Sequence, residues 1–230
     1  MNSVDRSAQA RVHRKPDLFL SHSARDKDFV WRLAEDLAFC EVDSWLDQWE
    51  LRPGESLHDA IGGALAASRF VAIVIGPHFA DSRWASDEMK QALARERRES
   101  RTIVIPVVAA DASLPTFLED KLYVDLRANY HAGIVRLAAL IHNIPSQHIE
   151  DALRSVRPGG MRQCIETLRY AGFEPYVVMS KEDADVVLQS GGQPYYDQKI
   201  RFSPEQVASN PNASPRLRRM MRRLLDDVWR

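Results

Sequence analysis

Two short runs of the chain consist almost entirely of apolar residues, and they constrain the fold more than any other feature. They are FVAIVIG at residues 70–76 and TIVIPVV at residues 102–108. A strand with water on one face alternates apolar and polar residues, and neither run alternates. Both faces of each strand must therefore be covered, which is typical of a central strand in a parallel sheet between two layers of helices.

Further strands and helices alternate along the same part of the chain. Strands are predicted at residues 17–21, 42–47 and 121–126, and helices at residues 25–40, about 57–68, 82–99 and 132–144. The first of these helices carries Phe29, Leu33 and Leu37 at helical spacing. Five strands that alternate with helices predict an α/β fold, a flavodoxin-like doubly wound parallel sheet with the strand order 2-1-3-4-5.

The pattern divides the chain into three parts. Residues 1–15 are polar and aperiodic and predict a flexible N-terminal segment, and residues 16–145 hold the α/β pattern. Residues 146–230 predict a small C-terminal α+β extension. The predicted elements of the extension are helices at 159–172 and 181–190, a strand at 174–180, a Gly-, Pro-, Asn- and Ser-rich stretch with few apolar anchors up to Pro215, and a basic amphipathic tail helix.

Composition limits the classes of function. The net charge of −1 argues against bulk electrostatic binding to nucleic acid or to a membrane. The two cysteines, Cys40 and Cys164, match no zinc-ligand spacing and no disulfide framework, so we expect reduced thiols and no metal. No segment approaches the roughly 18 apolar residues that a membrane span needs, and the N-terminus lacks a signal-peptide pattern. We therefore expect a cytoplasmic protein.

A tryptophan and a glutamate stand one helical turn apart just after the apolar run at 70–76. Trp84 and Glu88 belong to SRWASDEM (82–89), and on a helix their side chains share one face. In doubly wound sheets, ligands bind beyond the carboxyl ends of the strands, where the strand order reverses. The loops SHSARD (21–26) and GPHFADSRW (76–84) are predicted to meet at that point, with Glu88 facing the crevice.

Several of these segments, in this order, resemble a TIR domain (Toll/interleukin-1 receptor type). They are DLFLSHSARD, DSWLDQWELRPGESL, FVAIVIGPHFADSRWASDEM and VIPVV, and the resemblance covers about residues 16–143. It implies an enzyme that cleaves NAD+, as substrate and not cofactor, at the nicotinamide–ribose bond, with the Glu of Trp-x-x-x-Glu as the catalytic residue. That glutamate corresponds to Glu88.

The resemblance also implies substrate contacts and self-association. Substrate-binding candidates are Ser21, His22, Ser23, Asp47 and Trp84, and candidates for contact with a neighbouring copy are Trp49, Arg52, Pro53 and Gly54. The animal enzyme of this family has arginines where Ser23 and Ala24 stand here, so phosphate contacts are expected elsewhere or weaker. An NAD+ nucleosidase that is activated by self-assembly, with an activating partner or ligand at the extension, would fit a role in bacterial anti-phage immunity.

Other interpretations of the same residues stay open. Glu88 could be a solvated surface residue, Trp84 a packing residue, and His22 or Asp47 a cap for local backbone groups. A non-catalytic TIR scaffold is the main alternative function, and a deoxyribosyltransferase-like enzyme is a third. The tail could bind acidic lipid or nucleic acid, but we expect its apolar stripe to pack on the protein, or on another protomer, while its arginines stay in water.

Overall fold

The structure is a computed structural model that describes residues 8–12, 16–46, 67–79, 94–96, 98–99, 103–112, 114, 116–195 and 199–226. Its strands are β1 (Ala8–Val12), β2 (Leu18–Ser21), β3 (Ser44–Trp45), β4 (Phe70–Ile75), β5 (Val104–Val108), β6 (Val124–Asp125), β7 (Val177–Met179), β8 (Gln193–Tyr195) and β9 (Lys199–Phe202). Its helices include α1 (Lys27–Phe39), α2 (Tyr130–Ile141), α3 (Ser146–Val156), α4 (Met161–Tyr170), α5 (Lys181–Gln189), α6 (Pro204–Ser209) and α7 (Pro215–Asp226).

The first sheet has five parallel strands in the order β3-β2-β4-β5-β6. Counted within the sheet, this is the predicted order 2-1-3-4-5, so the flavodoxin-like fold is confirmed. Every residue of β4 and β5 is buried, as expected for strands covered on both faces. The crossover topology places the reversal of strand order between β2 and β4, which pair from Leu18 opposite Phe70 to Ser21 opposite Ile73.

A second sheet brings the two ends of the chain together. Its order is β7-β1-β9-β8, and β1 runs parallel to β7 and antiparallel to β9. The prediction of a flexible segment over residues 1–15 is therefore wrong for β1, because its backbone groups pair with strands on both sides. The N-terminal strand completes the sheet of the C-terminal extension.

Within the extension, the predicted helices and strand are present as α4, β7 and α5, but the pattern was incomplete. Helix α3 was not predicted, although Ile149, Ala152 and Leu153 give it a buried face. The stretch up to Pro215 was expected to have few anchors, and this is wrong. It contains β8, β9 and α6, and its apolar residues Ile200, Phe202, Val207 and Ala213 are buried.

One cluster of buried apolar residues joins the two sheets. It includes Leu18 of β2, Leu37 of α1, Val178 of β7 and Met221 of α7. Cys40 and Cys164 lie in the same cluster as buried, reduced thiols, as predicted. Burial raises the pKa of Cys40 to about 12, so its thiol stays protonated at neutral pH.

The tail helix α7 packs on its own chain through its apolar face. Leu217, Met220, Met221 and Leu224 are buried, which confirms the predicted packing. The expectation that its arginines stay in water is wrong for Arg223, whose side chain is 22% exposed, and holds for Arg219, whose side chain is 52% exposed although it also forms an ion pair. Both guanidinium groups form ion pairs with Glu35 of α1, whose side chain is buried.

A close approach between α2 and the chain around β6 yields a stability prediction. A Cβ at Gly133 would lie 2.8 Å from the carbonyl oxygen of Asp125, which is backbone and cannot turn aside. We expect Gly133→Ala to lower the free energy of unfolding by about 1–3 kcal/mol because the helix must move away from the strand. Urea unfolding followed by circular dichroism would measure the change.

The matched control for this prediction is Gly159→Ala. A Cβ at Gly159 would meet no atom within 4 Å, so its effect should stay within about 0.5 kcal/mol. Equal shifts for the two variants would contradict the close packing of α2.

In the part of the chain that the structure describes, no helix is long and apolar enough to cross a membrane.

Candidate active site

The loops that follow β2 and β4 meet beyond the carboxyl ends of these strands. The loop after β2 passes through Ser21, His22 and Ser23 into a short 3-10 turn, Ala24–Asp26, that leads directly into α1. The Oδ2 atom of Asp26 accepts a hydrogen bond from the backbone N–H of His78, in the loop after β4, at 3.3 Å. The predicted meeting of the two loops is therefore present in the structure.

A glycine permits this contact. Gly76 follows β4 directly, and a Cβ there would lie 2.5 Å from Oδ2 and 2.7 Å from Cγ of Asp26. No side chain larger than hydrogen fits at that separation unless Asp26 moves. Asp26 is only 6% exposed, so its carboxylate is buried between the two loops and does not lie on the outer surface. Gly76 and Asp26 together set how closely the two loops approach.

The predicted substrate-binding residues of the first loop lie beside this contact. Ser21 ends β2 and is half-buried. The His22 ring donates from Nδ1 to the carbonyl oxygen of Leu20 at 3.0 Å, so in the neutral ring Nε2 carries the free lone pair. Ser23 is 4% exposed, and its Oγ accepts from the N–H of Arg25 at 3.4 Å. His22 and Ser23 thus form hydrogen bonds with the local backbone in the loop that carries Asp26.

The remaining predicted site residues lie outside the described residues: Asp47, Trp49, Arg52, Pro53, Gly54, Trp84 and Glu88. Their roles stay predictions. The helix predicted over residues 82–99 is helical where the structure describes it, at 94–96 and 98–99. By sequence, Glu88 follows His78 by ten residues and therefore belongs to the segment that leaves the crevice contact.

Two further carboxylates lie at the same edge of the sheet. Asp111 follows β5, and Asp125 is the last residue of β6. Arg127 donates from Nη2 to Oδ2 of Asp125 at 2.7 Å and from Nη1 to Oδ1 of Asp111 at 3.0 Å. The hydrogen bond from Arg127 lowers the pKa of Asp125 to about 2, so this carboxylate is ionised and paired at neutral pH. Among the described residues, no group of three or more His, Cys, Asp or Glu side chains is placed to hold a metal ion.

Asp26 and Gly76 were not singled out by the sequence. The signal was a glycine directly after a fully buried strand, which often marks a close approach of another part of the chain. The acid that approaches it lies 50 residues earlier, and no local pattern links the two positions. Only the pairing of β2 with β4 brings them together.

Comparison with known families agrees with this architecture. Residues 18–138, more than half of the chain, match the family described as TIR domain. The chain belongs to the TIR domain family. The matched residues run from the start of β2 into α2, and they include both loops of the crevice.

Curated relatives of this TIR protein carry names of NAD+-processing enzymes. The protein named NAD(+) hydrolase PdTIR from Paracoccus denitrificans is 36% identical over 112 residues, which are 46% of this chain and 37% of that protein. The protein named 2' cyclic ADP-D-ribose synthase AbTIR from Acinetobacter baumannii is 36% identical over 89 residues, which are 38% of this chain and 33% of that protein. The chain thus spans about a third of the length of either relative.

A solved TIR domain was also found by comparison of structures. The TIR domain of the Toll-related receptor TRR-2 from Hydra magnipapillata covers 56% of this chain and 98% of its own, with 18% identity and a TM-score of 0.47. The fold of this TIR protein is assigned from its strand order and from the family match, which do not depend on that superposition.

Proposed function

We propose that this TIR protein cleaves NAD+ at the nicotinamide–ribose bond, as a glycohydrolase or an ADP-ribosyl cyclase, with Glu88 as the catalytic carboxylate. The observation that carries the proposal is the crevice between the loops after β2 and β4, in a family whose matched relatives are named for this chemistry. The crevice lies where doubly wound sheets bind their ligands. The segment that bears Glu88 continues from its second loop.

The chemistry requires little from the protein beyond one well-placed acid. When the bond between C1′ of the ribose and the nicotinamide nitrogen breaks, its electron pair neutralises the cationic ring, so the leaving group needs no proton. The ribose passes through an oxocarbenium-like state, and a carboxylate next to it stabilises that positive charge. Water or a hydroxyl of the same molecule then bonds to C1′ and loses a proton. Glu88 would supply the carboxylate.

The described loop residues suit contacts with the sugar. The Ser21 hydroxyl can donate and accept, and the Nδ1 hydrogen bond of His22 to Leu20 leaves Nε2 of the ring for a ribose hydroxyl. In this proposal Asp47 contacts the substrate from the same edge of the sheet, and Trp84 packs against a flat ring of the substrate. Each role adds orientation to a reaction that depends on positioning.

Assembly is the proposed means of control. Trp49, Arg52, Pro53 and Gly54 would contact a neighbouring TIR copy, and the C-terminal extension would receive an activating partner or ligand. Such control would suit an effector of bacterial anti-phage immunity acting in the cytoplasm. Self-association would then be needed for full activity.

The proposal predicts that the purified chain releases nicotinamide from NAD+ and that Glu88→Gln lowers the rate by about 100-fold or more. The substitution keeps the size of the side chain and removes the charge that stabilises the ribosyl cation. Nicotinamide and the ribosyl product would be separated by chromatography, with and without a crowding agent that promotes assembly. The separation also distinguishes linear from cyclic ADP-ribose.

Glu119→Gln is the matched control, because Glu119 is an exposed glutamate of the same domain. Its rate should equal that of the parent chain. Absence of nicotinamide release under conditions in which light scattering shows assembly would refute the enzyme and favour the non-catalytic scaffold. Equal rates for the parent chain and Glu88→Gln would refute the catalytic role of Glu88 but not the enzyme activity.

A further inference from the structure

We propose that Asp26 is a positioning residue for this reaction. Its buried carboxylate ties the loop after β4 to the start of α1, and so sets the exit direction of the segment that carries Glu88. The inference rests on the proposed function for its catalytic consequence. The contact itself rests on the described residues alone.

The first observation is that Asp26 occupies a helix-capping position without capping its helix. It is the N-cap residue of α1, where aspartate is favoured because its side chain can accept from the first free N–H groups of the helix. Within the described residues, its side chain makes no such capping bond. The carboxylate is directed across the crevice to the N–H of His78, 52 residues later in the chain.

The second observation is the shape of the contact. A buried carboxylate is costly unless polar groups satisfy it, and Asp26 is 6% exposed. The backbone at Gly76 lies so close to the carboxyl group that a Cβ would meet its oxygen at 2.5 Å. Because Gly76 has no side chain, the Asp26 carboxyl group can lie directly against its backbone.

The third observation is where the chain goes next. The N–H of Phe79 donates to the carbonyl oxygen of Gly76 at 3.2 Å, which reverses the chain directly after β4. The Phe79 ring packs against the buried cluster that contains Ile73 and Ile75. Asp26 holds the middle of this turn through His78, and Glu88 follows ten residues later. A displacement of the turn would therefore be passed on to the catalytic segment.

The kinetic signature separates positioning from general structural support. We expect Asp26→Ala to lower kcat by about 100-fold with KM changed less than about twofold, because a misplacement near 1 Å costs that much in rate. Asp26→Asn keeps an acceptor oxygen but loses the charge, and should retain activity between those of Asp26→Ala and the parent chain. Asp28→Asn is the control, since Asp28 is an exposed acid in the first turn of the same helix. Its kcat should equal that of the parent chain.

A double substitution tests the fit between the two residues. Gly76→Ala should lower kcat in the parent chain, because the new Cβ displaces the Asp26 carboxylate. In the Asp26→Ala background the same change should add little, since the group it would meet is gone. Full additivity of the two losses, or an unchanged kcat in Asp26→Ala, would overturn the inference.

Amide hydrogen exchange distinguishes failure of this inference from failure of the proposed function. If the parent chain releases no nicotinamide, the proposed function fails. The exchange rate of the His78 amide still decides whether Asp26 holds the turn after β4. We expect Asp26→Ala to speed that exchange at least about tenfold relative to Asp28→Asn. An unchanged rate would show that Asp26 does not hold the turn.

Discussion

Arg223→Ala is expected to lower the free energy of unfolding by about 3–5 kcal/mol. Arg223 reaches from α7 to α1, where its guanidinium group pairs with both Glu35 and Asp36. These two acids are 2% and 0% exposed, so water solvates their carboxylates poorly. Removal of one partner from a buried ion pair leaves a charge without compensation in a poorly solvated place, and this is the costly case.

Other groups that contact Glu35 and Asp36 reduce the expected loss of stability but do not abolish it. Arg219 still pairs with Glu35, and the hydroxyl group of Tyr130 donates to Oδ2 of Asp36 at 2.7 Å. Urea unfolding of Arg223→Ala and of Arg222→Ala, its exposed neighbour on the same helix, would measure the difference. The control should change stability by less than about 0.5 kcal/mol. A loss below about 1 kcal/mol for Arg223→Ala would show that the cluster contributes little.

Leu217→Ala is expected to lower the free energy of unfolding by about 2–5 kcal/mol. Leu217 is 1% exposed and belongs to the buried cluster that joins the two sheets. Alanine keeps the helical propensity of α7 and leaves a cavity where the larger side chain packed. Because the cluster is shared, we also expect one cooperative transition, with fluorescence and circular dichroism reporting the same midpoint.

Leu122→Ala is the matched control, with the same substitution at a side chain that is 98% exposed. It should leave the free energy of unfolding within about 0.5 kcal/mol of the parent value. A small effect of Leu217→Ala, or separate transitions for the two probes, would mean that α7 folds apart from the five-stranded sheet. The α7 ion pairs reach across the whole chain, since Glu35 lies 184 residues before Arg219.

The first sheet could be predicted because its signals are local. β4 and β5 are fully apolar runs, and the helices between strands repeat their apolar residues at the helical period. Once five strands alternate with helices, the right-handed crossover rule leaves few arrangements of a parallel sheet. Strand order followed from that pattern, and so did the meeting of the loops after β2 and β4.

Of the second sheet, only β7 could be predicted from local signals. β1 has the alternating sequence AQARV, but it is five residues long and contains two alanines, which have low strand propensity. β8 contains a proline and lies in a stretch rich in turn residues. β1 forms because strands from the other end of the chain supply its hydrogen bonds, as in the pairing of Ala8 with Phe202, whereas β8 pairs with its neighbour in sequence, β9.

The candidate site divides in the same way. The sequence pointed to Ser21, His22 and Ser23 at the end of β2, and the structure places them at the crevice edge. It did not point to Asp26 or Gly76, because an aspartate before a helix ordinarily indicates a cap. The direction of that carboxylate is a property of the packed loops, and it is the basis of the positioning role proposed here.

By itself, the sequence determined the α/β class, the order of the five parallel strands and the sheet edge at which the loops after β2 and β4 meet, because periodicity and chain order carry that information locally. Tertiary structure alone decided that residues 8–12 complete the second sheet and that α7 arginines meet the buried acids of α1. It also decided that Asp26 crosses to His78. In each case the partners are distant in sequence, and only burial in a shared core brings them within hydrogen-bonding or ion-pair distance.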